Sequence, residues 1–157
     1  MQKRYLTKEQ ALQKLKHYCG YQERSQYEAV QKLYGLGVGK NEHDDILSSL
    51  IEENYINEER FAIQYAGGKF RMKGWGRKKI YYGLKEKKIN DYCIKAAMKS
   101  IDEEDYTKTL LSLAEKKHDS LKGDHHLVRR KKTIEYLIQK GYETDLINKA
   151  LASISEN

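Results

Sequence analysis

Apolar residues recur three and four positions apart along most of this chain, and no stretch of useful length alternates every second residue. The pattern predicts helices and no sheet. A first helix opens on the capping pair Thr7–Gln10 and carries Ala11, Leu12, Leu15 and Cys19 on one face. A second opens on Ser25–Glu28, runs from about Gln26 to Gly35 and shows Ala29, Val30 and Leu33. Asn41 is expected to cap a third, striped by Ile46, Leu47, Leu50 and Ile51. Asn57 caps a fourth with Phe61, Ala62, Tyr65 and Phe70 inward, and a fifth with Ile80 and Leu84 begins after Gly74. Asn90 and Asp91 open a sixth, with Ile94, Ala97, Met98 and Ile101. The acids from Asp102 to Asp105 suit the positive end of a seventh, faced by Leu110, Leu113 and Ala114. The eighth holds Leu127, Ile134, Leu137 and Ile138, and the ninth Leu146, Ile147, Ala150 and Leu151.

These helices fall into threes. Setting residues 80–98 against 133–151 pairs Leu84 with Leu137, Ile89 with Tyr142, Ile94 with Ile147 and Ala97 with Ala150. In the first third, Leu33, Val38, Ile46 and Leu50 take the equivalent places, with three extra residues in the turn. Each unit thus ends as helix, short turn with one apolar residue, helix. A unit of about 50 residues buries little alone, and stacking completes its core. The expectation is an all-α chain of three tandem three-helix repeats, 1–55, 56–101 and 102–157, forming an elongated, curved helical array with several small cores.

Composition agrees. Proline is absent, which permits uninterrupted helices, and the aromatic set of 13 Tyr, 2 Phe and 1 Trp suits thin, half-wet cores. The two cysteines, Cys19 and Cys93, fall on apolar faces without metal spacing and read as reduced thiols of a cytoplasmic protein. No secretory leader and no apolar run near membrane-spanning length is recognised, so no membrane is expected. No HExxH, nucleotide-binding loop or GxSxG occurs. His17, His43, His118, His125 and His126 read as surface polar residues; the last two, adjacent on a helix, would not easily share a metal. Asp44–Asp45 and Glu52–Glu53 lie on a polar helical face. The chain is therefore not expected to be an enzyme, and no cofactor or metal is implied.

Net charge is +7, and its distribution is uneven. From Asn41 to Glu59 there are seven acids and no Lys or Arg; from Arg60 to Ile89 there are ten Lys or Arg and one acid, Glu86. Such a basic run favours polyanions or acidic protein surfaces. Its centre is GGKFRMKGWGRKKI, residues 67–80. A phosphate-cradling loop needs a preceding strand and a glycine spacing that opens a helix. Here a helical stripe precedes Gly67, and Gly67, Gly68, Gly74 and Gly76 fit no such spacing.

Gly67 and Gly68 are expected inside the fourth helix, at about 1 kcal/mol each against alanine, for which close helix approach is the simplest reason. Gly74 reads as the positive-φ helix end and Gly76 as the start of the fifth helix. Lys69 and Lys73 share a face. Arg77, Lys78 and Lys79 crowd a helix N-terminus, where cations oppose the dipole, so function outweighs stability there. Trp75 reads either as a buried hinge residue or as an exposed stacking or anchoring residue. The candidate partner-binding residues are Lys69, Arg71, Lys73, Trp75, Arg77, Lys78 and Lys79. Arg129, Arg130, Lys131 and Lys132 form a second basic cluster, either a solvated face or a secondary anion contact.

This segment resembles the RecX family, small bacterial modulators of the RecA recombinase. The likeness rests on Arg60–Phe61–Ala62, Tyr65, Lys69, Arg71, Lys73–Gly74–Trp75–Gly76, Lys79–Ile80, Leu84 and the Lys87–Lys88–Ile89 turn. The family usually reads basic–Gly–x–Gly–Pro, basic–Ile, Glu–Leu and Lys–Gly–Ile. Here Arg77 stands at the Pro place, Gly83 at the Glu place and Lys88 at the Gly place, and the span before Gly74 is one residue longer. The family also has three tandem three-helix repeats. The resemblance implies a monomeric regulator of DNA repair, recombination and the SOS response. Such a regulator binds along the groove of the RecA–DNA filament and lowers ATP hydrolysis, strand exchange and co-protease function. The other readings are a general single-stranded nucleic-acid-binding helical module and a helical scaffold for acidic peptides.

Overall fold

The structure, a computed structural model, describes residues 6–155, which form nine α-helices and no strand. They are α1 (Lys8–Tyr21), α2 (Gln26–Gly35), α3 (Lys40–Glu52), α4 (Glu58–Lys73), α5 (Arg77–Glu86), α6 (Asp91–Lys99), α7 (Glu103–Ser120), α8 (His126–Lys140) and α9 (Thr144–Ser155). The ends of the first and third expected repeats, residues 1–5 and 156–157, lie outside the described residues.

The helix starts follow local chemistry. Thr7 and Ser25 form reciprocal capping boxes with Gln10 and Glu28. Asn57, Asn90 and Asp102 each accept a hydrogen bond from the third residue of their helices. Asn41 does not cap α3 as expected. The chain leaves left-handed Gly37, φ 76°, and enters the helix at Gly39, so Asn41 sits inside the first turn.

The repeat is visible in its turns. Val38 N–H donates to Leu33 O (3.0 Å), Ile89 to Leu84 O (3.1 Å) and Tyr142 to Leu137 O (3.2 Å), the same bond three times. The residue before each apolar donor is left-handed: Gly37, Lys88 (φ 62°) and Gly141 (φ 99°). Lys88 therefore keeps the turn shape without glycine, at a cost of roughly 1 kcal/mol. Every residue paired in the repeat alignment is buried.

Two cores form rather than one per repeat. The first three helices enclose Leu15, Leu33, Ile46, Leu50 and Ile56. The other six share one core that includes Phe61, Phe70, Leu84, Tyr106, Leu137, Tyr142 and Ile147. Cys19 lies in the first, its thiol pushed up to about 11 by burial, and Cys93 in the second, raised for the same reason; both are free thiols. Three residues expected on apolar faces need correction. Leu127 and Ile138 are exposed, because α8 turns Thr133 and Leu137 inward; the Thr133 hydroxyl is satisfied by donating to Arg129 O (2.8 Å). Ile51 is exposed as well. His43 is not a surface residue. It is buried, edge-on to Tyr34, with Nε2 2.9 Å from Val38 O, which requires the proton on Nε2.

The first three helices join α4 through side chains. Arg60 Nε pairs with Glu23 (2.5 Å), and its guanidinium also donates to Asn54 O (3.0 Å). Glu58 accepts from Gln26 N–H (2.8 Å) at the start of α2, and Lys87 reaches Glu28 (3.4 Å). One oxygen each of Glu23 and Glu58 is buried without a protein partner. Burial raises the Glu58 pKa above its ordinary value, opposed by the Gln26 bond and reinforced by Glu28.

Candidate functional site

The glycine-rich basic segment is a joint between the second and third groups of helices. α4 ends at Gly74 in the left-handed conformation (φ 67°), and Trp75 N–H closes back onto Lys69 O (3.2 Å). Gly76 then starts α5. A Cβ on Gly76 would lie 2.5 Å from the Gly141 carbonyl carbon, and one on Gly141 would lie 2.5 Å from Lys79 N. Close approach is thus the work of Gly76 and Gly141. It is not that of Gly67, whose missing side chain makes room for the Arg71 guanidinium, or of Gly68, which has nothing within 4 Å. Gly83, at the place where the resemblance expects Glu, is where the Tyr65 ring tip rests, and a Cβ there would overlap it.

Three of the four N–H groups at the start of α5, counted from its cap Gly76, are consumed by this joint. Gly76 donates to Lys140 O (2.7 Å), Arg77 to Tyr106 Oη (3.0 Å) and Lys78 to Gly141 O (2.9 Å). A helix N-terminus occupied in this way keeps only the Lys79 N–H and cannot cradle an anion with converging backbone donors. It also accounts for Arg77 at the Pro place, since its N–H is used. Tyr142 Oη donates to Gly74 O (2.8 Å) and Lys140 Nζ to Lys73 O (2.9 Å), so both sides of the turn are pinned.

Arg77 itself points inward. It stacks over the Tyr106 ring at 3.7 Å, pairs with Glu143 (2.7 Å) and Glu103 (2.6 Å), and its side chain is 19% exposed. Burial works against its charge, but the bonds to Glu143 and Glu103 outweigh it and hold its pKa above the ordinary value. Tyr106 Oη donates in turn to Glu143, and burial keeps this phenol protonated. Two acids thus offset the charge that Arg77 places at the α5 N-terminus, leaving Lys78 and Lys79 as the uncompensated cations there.

The fold draws three lysines onto Trp75. Lys69 and Lys73 descend from α4 and Lys79 rises from α5, their ammonium groups 4.9, 5.7 and 4.7 Å from the indole centroid. The indole is half-buried against the shared core, with Tyr65 edge-on at 6.5 Å. Trp75 is thus a half-buried hinge residue whose ring carries the chain's own lysines. None of the ion pairs among the described residues involves Lys69, Arg71, Lys73, Lys78 or Lys79. Burial, then Lys73, lowers the Lys69 pKa.

Folding also adds cations that linear reading did not single out. A groove of about 620 Å³ beside the α1–α2 turn is lined by Tyr65, Lys69, Met72, Lys73 and Lys87, and by the carboxylates Glu23 and Glu28. A second, of about 590 Å³ against α7, is lined by Arg71, Met72, Lys73, Lys108 and Lys116. Lys108 and Lys116 lie 28 and 36 positions beyond the end of the motif, on a helix whose other charges are mixed, so no run marked them. The Arg129–Lys132 cluster divides. Arg129 is tied to His118 O (2.6 Å) and Lys132 to Asp124 (3.0 Å), while Arg130 and Lys131 are exposed without ion pairs. His125 caps α8, and its ring lies 4.4 Å from that of His126; among the described residues no three His, Cys, Asp or Glu converge as a metal site. No described helix is long and apolar enough to cross a membrane.

Known proteins resemble this arrangement. The family model for the second three-helix domain of RecX matches residues 57–98, and that for the third three-helix domain matches 103–151, together more than half of the chain. The Regulatory protein RecX of Bacillus mycoides (strain KBAB4) is 30% identical over 139 residues, which cover 88% of this chain and 52% of that protein. Its namesake in Clostridium perfringens (strain 13 / Type A) is 30% identical over 137 residues, covering 85% and 63%. The chain thus spans between half and two thirds of these relatives. The crystal structure of RecX from Lactobacillus salivarius superposes with a TM-score of 0.86 at 23% identity, over 96% of this chain and 97% of that one. A second, titled as regulatory protein RecX, gives 0.84 at 20% identity, over 97% and 82%.

Proposed function

The chain belongs to the RecX family of regulatory proteins, and on that premise we propose that it restrains a RecA recombinase by seating on the RecA–DNA filament. It acts as a monomer in the cytoplasm, in the three units 1–55, 56–101 and 102–157, by occupancy rather than by catalysis and without cofactor or metal. The observation that carries this reading is the unpaired cluster Lys69, Lys73 and Lys79, held on Trp75 by a pinned joint within the segment that matches the second-domain model. Flexible lysines on a fixed base lose less freedom on binding than the same lysines on a mobile loop. Arg71 and Lys78 extend the surface, and Arg130 with Lys131 offers a secondary contact. Arg77 contributes by fixing the joint.

Such a surface binds with salt-dependent affinity, and regulation follows if it holds the filament rather than free DNA. The test is co-sedimentation of the full chain with RecA–DNA filaments and with bare single-stranded DNA. Tenfold or tighter preference for the filament, about 1.4 kcal/mol, supports the proposal. Equal binding to both would favour a general single-stranded nucleic-acid module instead.

A further inference from the structure

We propose that Lys69, Lys73 and Lys79 form a cradle for the phosphodiester backbone of a single nucleic-acid strand, which crosses the C-terminal turn of α4 with no base stacked on Trp75. This deepens the regulatory reading and rests on it for where the strand is met.

The convergence of charge comes first. Three ammonium groups within 5.7 Å of one ring centroid, without a carboxylate among them, repel one another. The indole face offsets part of that repulsion, and an entering phosphate would offset more. The lowered Lys69 pKa reflects burial first and the Lys73 charge second, which is what such crowding produces.

The state of the aromatic ring comes second. A stacking platform needs an open face, whereas Trp75 is half-buried, has three ammonium groups within 5.7 Å of its ring centroid and is flanked by Tyr65. Backbone amides contribute little, because three of the four N–H groups at the start of α5, those of Gly76, Arg77 and Lys78, are spent on Lys140, Tyr106 and Gly141. Contact is left to lysine side chains, which recognise charge and not sequence.

Continuity comes third, and it selects a polymer over a lone anion. The two grooves flanking the end of α4 meet at Met72 and Lys73, which line both. On one side lie Lys69 and Lys87, with Glu23 and with Glu28, which pairs with Lys87; on the other lie Arg71, Lys108, which pairs with Glu104, and Lys116. The only carboxylate lining the second groove is Asp105. A chain of regularly spaced phosphates fits that path. Acidic protein side chains, sparser and less regular, fit it less well.

Trp75 is the single tryptophan, so its fluorescence reports on the cradle alone. The full chain, without RecA, is titrated with oligothymidylate, with an abasic deoxyribose-phosphate strand of equal length, and with a poly-glutamate peptide of equal charge. Both strands should perturb Trp75 with affinities within about twofold, and poly-glutamate should bind at least about tenfold more weakly. In the variant K69Q/K73Q/K79Q the slope of log affinity against log salt should shrink by about 2. Lys79→Gln alone should reduce it by about 0.7, which keeps the test open should the triple variant fold poorly. An abasic strand binding about tenfold more weakly than oligothymidylate would show stacking and overturn the cradle. Equal binding of poly-glutamate would assign the site to an acidic protein, and an unchanged salt slope in Lys79→Gln would remove the lysine from it. Because RecA is absent, these failures are distinct from a failure to restrain the recombinase.

Discussion

The two joints of this molecule are built differently. The joint between α4–α6 and α7–α9 is backbone against backbone: Gly76 lies on Gly141, α5 donors enter the α8–α9 turn, and one core runs through all six helices. The joint between α1–α3 and α4 is made by side chains across two separate cores: Arg60 pairs with Glu23 and Lys87 with Glu28, while Glu58 takes the Gln26 N–H. The difference teaches where rigidity is placed. The lysine cluster sits on the tightly built joint, and the open groove beside the α1–α2 turn lies at the polar one.

The largest expected effect comes from adding one methyl group at the tight joint. Gly76→Ala puts a carbon 2.5 Å from a backbone carbonyl that cannot step aside, and should cost about 3 kcal/mol in urea unfolding. A loss below about 1 kcal/mol, the usual effect of a surface substitution or less than twice it, would break the contrast between the joints. Next come the arginines. Arg77→Met leaves the part-buried Glu143 and the exposed Glu103 without their cation and should cost about 2 kcal/mol, less than a fully buried pair would. Arg60→Met removes a more exposed pair and should cost about 1 kcal/mol. Equal losses would mean that the two joints do not differ in kind.

Smaller effects sharpen the comparison. Gly68→Ala, in open space within α4, should stabilise by about 1 kcal/mol, the opposite sign to Gly76→Ala. Lys88→Gly relaxes a left-handed residue in the turn that Gly141 makes without strain, and should also gain up to about 1 kcal/mol in the melting curve. The smallest effect is one of pH at the polar joint. The Glu58 pKa is raised on folding, so this group adds stability below the ordinary value of 4.5 and loses it as pH rises through the folded value. Glu58→Gln should flatten that part of the stability profile just above pH 4.5 and leave the profile unchanged near pH 8. An unaltered profile throughout would remove Glu58 from the account.

Much of this was legible in the linear chain. Helix caps such as Ser25 and Asn57 act within three residues, and the paired positions Leu84–Leu137 and Ile89–Tyr142 carry a repeat that burial enforces. What stayed hidden depends on contacts far apart in sequence. Nothing near Gly76 announces Gly141, and the sequence points instead to Gly67 and Gly68, which sit in a helix and look costly there. Arg77 looked like its neighbours Lys78 and Lys79 because Glu143 is 66 residues away. His43 looked polar because its acceptor is a backbone carbonyl, which any residue could supply. Lys79 joined Lys69 and Lys73 only because left-handed Gly74 folds the fifth helix back over Trp75.

The most direct test of the central claim is RecA's DNA-dependent ATP hydrolysis, measured with this protein at near-stoichiometric levels and at two salt concentrations. The account predicts strong inhibition at low salt, weaker inhibition at high salt, and a loss of most of it in K69Q/K73Q/K79Q. ATP hydrolysis left untouched by the unmodified chain at both salt concentrations would contradict it.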